Sequence, residues 1–449
     1  MSSREKRLSK VTLLAYGVGD FASNLTNTFI GSYLSLFYTD VVGLAPAVVS
    51  MIMLIARIWD GINDPMFGAI AERTHTKKGR FRPYIFYFTP FLALSAVLVF
   101  IKFGTGTTAV IWAAVTYIAY GMLFTVVNLS YGSLSTVMTA NPEDISLLTS
   151  YRMMGTNLSS VVLSALSPVL LQAFSGSSQY TAGGYTKLMI IYALCSIPLF
   201  YFVYAKCKEN ITPQGGTVKV PVSHSIKYCL TNKPLMIIFA LMIIAMTAFF
   251  GRMAVVLYYI LYVLERPDLI SIFMALPSVM TIIGIFVTKN YILKFGKKRM
   301  AAIGYIGAGL SLIAIYFTDP SNIGLMLVFH GLYGLFCFSF PIPMSMIPEA
   351  INYQEERTGI RTDGMAYAST SLSTKFGNAI GPSVALLIMG SFGYVANAPQ
   401  TPEAIYGINL SVNLIFGIIY LLALIPLFFY PLNEEKNARI QEILDTRRL

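Results

Sequence analysis

Asp60 and Asp64 stand one helical turn apart inside the apolar stretch VVSMIMLIARIWDGINDPMFGAIA, with Arg57 one turn before the first. A charged side chain near mid-bilayer costs roughly 2.5–3.5 kcal/mol on insertion scales, so charges inside a span mark a polar pathway. The i, i+4 spacing puts both carboxylates on one helical face, where one arginine cannot neutralise both. A cation or a proton would balance the remainder. This pattern points to ion binding rather than to catalysis, so no enzymatic activity is expected.

A second polar feature precedes it. Tyr16, Asp20, Asn24 and Asn27 follow i, i+4, i+8, i+11 and form one stripe on a helix. Asn27 fits ordinary hydrogen bonding between membrane helices, whereas the carboxylate of Asp20 calls for a cation, a proton or a hydroxyl-rich ligand. Counterparts lie further along: Asn128 and Tyr131 in FTVVNLSYGSL, Arg152 in SYRMMG, Arg252, and Lys375 in SLSTKFGNAIGPS. Arg152 lies near a helix end, from which its side chain could snorkel to lipid headgroups. His330 could shuttle protons, but with nothing acidic near it in sequence it reads as a packed neutral side chain.

The elements that must carry these residues are membrane spans. The 449 residues are 55% hydrophobic and only 12% charged, with mean hydropathy +0.65, where an ordinary soluble domain is about 25% charged. Apolar runs recur along the whole length, giving about twelve helices: 11–38, 44–72, 83–103, 108–138, 146–175, 186–206, 232–262, 268–293, 298–318, 322–350, 360–392 and 404–431. The net charge of +11 needs no nucleic-acid partner, because basic residues gather in alternate connections. They fill the first ten residues, the loop after the second span (Arg73, Lys77, Lys78, Arg80, Arg82), the loop after the eighth (Lys294, Lys297, Lys298, Arg299) and the tail. The positive-inside rule then predicts a multi-pass protein of the plasma (inner) membrane with both termini cytoplasmic. No cleavable signal is evident, so the first span should stay in the mature protein. The four cysteines show neither metal-ligand spacing nor a disulfide pattern.

A polar linker, 207–231, separates two halves, giving an N-terminal six-helix bundle over 1–206, a C-terminal one over 232–433 and a tail over 434–449. The basic loops AERTHTKKGRFRP and ILKFGKKRM are a weak internal repeat, each short and glycine-bearing. Two parallel six-span halves match the major facilitator architecture, whose substrate site lies between the halves at mid-membrane. The expected fold class is therefore an all-α membrane protein.

At these residues the chain resembles the glycoside–pentoside–hexuronide:cation symporter family, the melibiose permease-like branch of the major facilitator superfamily. The match covers almost the whole chain and is strongest over YTDVVGLAPAVVSMIMLIARIWDGINDPMFG and GRFRP, with further pieces in YGVGDFASN, VNLSYGSL, SYRMMG and DGMAYASTSLSTKFGNAIG. The resemblance implies sugar uptake driven by a sodium or proton gradient. It also implies a cation site at Asp60 and Asp64, with Lys375 and Arg152 near the cation and sugar sites. Asn24 and Asn128 stand where the galactoside-binding pattern has aspartates, and Gly132 where it has a tryptophan. These departures shift the resemblance toward the glucuronide and pentoside branch, where Arg252 could meet an anionic sugar.

The expected sugar set is Asp20, Asn24, Asn128, Tyr131, Arg152, Arg252 and Lys375. Arg57 and Lys375 would balance charge, and Arg73 and Arg80 would act in a cytoplasmic latch at 73–82. The expected partners are a small sugar and membrane lipid, with no nucleic acid, no cofactor, no metal beyond Na+ at the aspartate pair, and a monomeric state. Three other readings stay open on sequence: a gradient-independent facilitator, exchanger or sensor; a lipid-type cargo on the same fold; and an intramembrane prenyltransferase, disfavoured because a second Asp-rich motif is missing.

Overall fold

The computed structural model describes residues 7–74, 76, 78–139, 141–176, 180–210, 229–359 and 363–448. Among them the chain is helical, apart from an isolated bridge between Thr76 and Gly79. Ten helices are long and apolar enough to cross a membrane. Two more, Lys10–Leu36 and Asp363–Ser391, have the length but fall short in hydropathy, being helices on which polar candidate residues sit. The protein is an all-α, multi-pass membrane protein.

By mutual contact the chain divides into two units, the first built on Met1–Gly216 with Pro267–Ala275 and Ala396–Ala398, the second on the remainder. The first holds α1 (Lys10–Leu36), α2 (Pro46–Arg73), α3 (Arg82–Val99), α4 (Thr107–Met138), α5 (Pro142–Ser175) and α6 (Ala182–Lys206). Helix α1 starts where Ser9 accepts from the Thr12 amide, and α6 where Thr181 accepts from that of Gly184. Each side-chain oxygen satisfies one of the orphan N–H groups of a first turn. Helix α1 packs on α5 and α6, α2 on α4, and α3 on α4 and α6.

Helix α2 shows how sequence sets orientation. Ile58, Ile62, Met66 and Ile70 recur every four residues and are exposed, while Ala56, Asp60, Asn63, Phe67 and Ala71 are buried. The apolar stripe is turned outward and the polar one inward, as a bilayer demands of a span with charges in it.

The second unit holds α7 (Lys233–Tyr258), most of α8 (Ile270–Phe295), α9 (Lys297–Phe317), α10 (Ile323–Phe336), α11 (Ile342–Thr358), α12 (Asp363–Ser391), the shorter α13 (Pro402–Asn409), α14 (Ile415–Leu422) and α15 (Leu424–Phe428), and α16 (Glu434–Arg448). The helix expected over 322–350 is broken between α10 and α11 by a tight turn at Cys337–Ser339, just before Pro341 and Pro343. Proline lacks the N–H that would continue the ladder. The span expected over 404–431 is likewise subdivided, with a wider turn at Leu410–Leu414. The tail forms a helix of its own, α16, which packs on α11.

The first and fifth spans of each unit cross at glycines. A Cβ on Gly155 would fall 2.1 Å from the Gly17 carbonyl oxygen, and one on Gly251 would fall 2.9 Å from the Gly381 backbone. Small residues let membrane helices approach closely where no hydrophobic force draws them together.

Candidate functional site

The α1–α5 crossing brings Asp20 and Arg152 together. Asp20 is only 7% exposed. Its Oδ1 accepts from Arg152 Nε at 3.0 Å, and its Oδ2 accepts a short hydrogen bond from the Thr156 hydroxyl. The guanidinium lies 5.3 Å from the centroid of the Tyr131 ring, which stacks on Tyr16 at 4.8 Å. The Tyr131 hydroxyl donates to the Tyr16 carbonyl, and the Tyr16 hydroxyl to that of Gly132 at 3.3 Å. Tyr131, expected in the sugar set, is fully buried with Arg152 against its ring. Each Asp20 oxygen keeps a further lone pair for another donor.

Asn24 donates from its amide to the Asp20 carbonyl at 2.8 Å and accepts from Thr28 at 3.3 Å, both within α1. Asn128 on α4 accepts from Ser23 at 3.2 Å. Both asparagines are half-buried.

The α2 pair lies against the same helix α4. Arg57 donates to Asp60 at 3.0 Å and to the Tyr117 hydroxyl at 2.8 Å, and its guanidinium sits 5.6 Å from the centroid of that ring. Asp64 accepts from the Thr125 hydroxyl at 2.9 Å. Asn63, buried between the two carboxylates, has an amide nitrogen with no hydrogen-bond partner among the described residues. A Cβ on Gly121 would meet Asp60 Oδ1 at 2.6 Å.

One stripe of α4 therefore faces all of these groups. Gly121 leaves room for Asp60, Thr125 bonds Asp64, Asn128 bonds Ser23, and Gly132 approaches Arg152, where a Cβ would lie 3.5 Å from a guanidinium nitrogen. The positions run i, i+4, i+7, i+11, a single helical face. Sequence reasoning found Asn128 on that face but missed Gly121, Thr125 and, on α5, Thr156. Thr156 stands one turn after Arg152, and that spacing was its available signal.

The second unit buries positive charge. Arg252 on α7 is 4% exposed, lies 4.6 Å from the centroid of the Tyr333 ring, and places a guanidinium nitrogen 3.0 Å from His330 Nδ1. A guanidinium only donates, so Nδ1 accepts and the ring proton sits on Nε2. His330 is packed as expected, with Arg252 against its ring nitrogen. Among the described residues no carboxylate lies within ion-pair distance of Arg252. Lys375 is half-buried on α12.

The basic loops are held by acids. Glu209, three residues past α6, accepts from the backbone N–H groups of Arg80, Phe81 and Arg82 at 2.7, 2.8 and 3.0 Å, capping the start of α3. Arg80 donates from Nε to the Ala71 carbonyl near the end of α2 at 3.0 Å, and Arg82 donates to the Tyr204 carbonyl. The Arg73 side chain lies outside the described residues. In the second unit Glu434, six residues past α15, accepts from the Lys297 N–H at 2.9 Å, capping α9. Gly79 and Gly296 precede these capped starts with φ of +112° and +85°, which residues with a Cβ rarely adopt. The two loops are one device used twice. Burial pushes the Cys207 thiol, beside the first device, up to about 12.

With this geometry in view, comparison with known proteins is decisive. The family model for MFS/sugar transport proteins matches residues 15–434. The chain belongs to that family. It is a member of the glycoside–pentoside–hexuronide:cation symporters of the major facilitator superfamily, a sugar transporter and not an enzyme. Among its relatives, an uncharacterized symporter of Bacillus subtilis (strain 168), YnaJ, is 32% identical over 100% of this chain and 97% of its own. An isoprimeverose transporter of Lactiplantibacillus pentosus is 29% identical over 97% and 93%. A glucuronide carrier protein homolog of Escherichia coli (strain K12) is 27% identical over 99% and 97%. Among solved structures, an inward-facing bacterial homolog of the human lysosomal transporter Spinster superposes with a TM-score of 0.72 at 12% identity, covering 99% of each chain, a likeness of fold.

Proposed function

We propose that this transporter imports a sugar or glycoside of the pentoside or hexuronide type by symport with Na+ or H+, through alternating access. The observation that carries the reading is the pair of α2 carboxylates turned to one face of α4, beside the Thr125 hydroxyl. Two carboxylates one turn apart with a hydroxyl oxygen beside them are a hard donor set, suited to a proton or an oxygen-loving cation. Among the described residues no cluster of three or more His, Cys, Asp or Glu suits a heavier metal ion.

Binding of the cation neutralises the pair and lowers the cost of closing a dehydrated cavity around it. The sugar engages Asp20, Asn24, Asn128 and Arg152 through its hydroxyls. Coupling follows when the mobile state is accessible only with both sites filled or both empty. Lys375 supplies compensating charge in the cation-free state, and Arg80 on the Ala71 carbonyl belongs to the latch. A hexuronide is favoured over a galactoside by Arg252, a buried guanidinium with no carboxylate at ion-pair distance among the described residues, and by the likeness to a glucuronide carrier homolog.

The test is uptake into membrane vesicles of labelled glycosides, pentosides and glucuronides, with sodium and pH varied independently. Accumulation that collapses when one cation gradient is removed supports symport. Equal equilibration with or without a gradient assigns a facilitator instead.

A further inference from the structure

The junction of α8 and α9 carries four basic residues, and the structure divides their work. Lys297 pairs with Glu349 at 2.6 Å and donates to the Ser345 carbonyl at 2.8 Å. Lys298 donates to the carbonyls of Phe428 and Tyr430 at 3.0 and 2.7 Å, neutralising the C-terminal end of α15. Lys294 and Arg299 are exposed, and neither has an ion-pair partner among the described residues.

These two flank an open groove of about 780 Å3 between the end of α8, the first turns of α9, and α15. Its wall also includes Phe295, Leu424 and Phe428, the last 78% exposed. Glu434 and Glu435 line it too, but Glu434 is engaged in capping α9, and three cations against two carboxylates leave the wall positive. The groove lies where three spans begin or end. Cations at span ends belong at headgroup depth, and the exposed Phe428 with Leu424, one turn further into α15, belongs with acyl chains.

We propose that this groove is a binding site for one anionic phospholipid, its phosphate on Lys294 and Arg299 and its chains over Leu424 and Phe428. Charge complementarity sets the sign of the ligand, and the aromatic wall makes it a lipid rather than a soluble anion. A zwitterionic headgroup would leave the two cations without net compensation. The site is separate from the sugar and cation residues, so its loss leaves the reading of those residues untouched.

The experiment is native mass spectrometry of the full chain in detergent, titrated with dioleoyl phosphatidylglycerol or dioleoyl phosphatidylcholine. Each basic residue near an anionic surface is worth about fivefold in binding, so Lys294→Ser with Arg299→Ser should weaken the first phosphatidylglycerol by about thirtyfold. Arg357→Ser with Arg439→Ser removes equal charge away from the groove and should change it less than about twofold. Phe428→Ser should weaken the lipid while leaving its preference over phosphatidylcholine intact. The proposal is overturned if the groove variant, with an unfolding midpoint equal to the parent's, binds phosphatidylglycerol as the parent does. It is equally overturned if the parent shows no preference for the anionic lipid, or if millimolar inorganic phosphate displaces it.

Discussion

The two halves agree at their loops and differ in their interiors. Gly79 with Glu209 and Gly296 with Glu434 perform the same capping of the span that follows, and glycines bring the first and fifth spans together in both units. Inside, the first unit buries the carboxylates Asp20 and Asp60, with Asp64 half-buried one turn on, whereas the second buries Arg252 and half-buries Lys375. Among the described residues, α7 to α10 contain no acidic residue at all. The two units share the loop device and the glycine crossings but not the buried charge. In the proposed reading the first unit takes the cation and the second whatever bears the opposite charge.

The comparison can be broken most forcefully at Arg57. Removing one member of a buried ion pair strands the other, at about 3–5 kcal/mol. Arg57→Ala should therefore lower the thermal unfolding midpoint of the detergent-solubilised protein sharply. Arg252→Met, which removes a buried cation with no carboxylate beside it among the described residues, should be close to neutral in the same assay. Equal losses in both variants would mean that the two interiors are electrostatically alike.

A smaller effect is expected at Asp20. Losing one partner of a charge-assisted bond costs about 1.5–3 kcal/mol, roughly ten- to a hundredfold in affinity. Asp20→Ala should weaken sugar binding, measured by calorimetry or substrate protection, by that factor without blocking insertion. An unchanged affinity in a folded variant would restrict Asp20 to holding α5.

Gly121→Ala sharpens the role of α4. Its Cβ would lie 2.6 Å from an Asp60 oxygen, so the carboxylate must move. Cation dependence of transport should shift several-fold while counterflow changes little; the same substitution at Gly61, where a Cβ meets nothing within 4 Å, is the control. The smallest effect belongs to the loops. Glu209→Gln and Glu434→Gln each replace charged acceptors with neutral ones, about 1 kcal/mol apiece. Similar small drops in midpoint are expected from the pair, because the device is the same.

Much of this was legible from residues that are expensive in a membrane. Asp20, Asp60, Asp64, Arg57 and Arg152 stood out because charges in apolar runs need a reason, and the structure pairs Asp60 with Arg57 and Asp20 with Arg152. Thr125 and Gly121 were invisible because threonine and glycine are ordinary in spans and gain meaning only from the partner helix, while Thr156 was signalled only by standing one turn after Arg152. The loop repeat was visible in its glycines and lysines. Its acids were not, since Glu209 and Glu434 sit in polar stretches where an acidic residue draws no notice. The division of labour in the second basic loop was hidden for the same reason: four similar residues take different partners.

The most direct test of the central claim, that the first unit carries the coupling cation, is gradient-driven accumulation against counterflow in Asp64→Asn vesicles. The substitution removes the charge and keeps the shape. Accumulation should disappear while exchange of labelled sugar persists, because the proposed sugar groups lie on other helices. An Asp64→Asn protein that accumulates sugar as well as the parent would contradict the account.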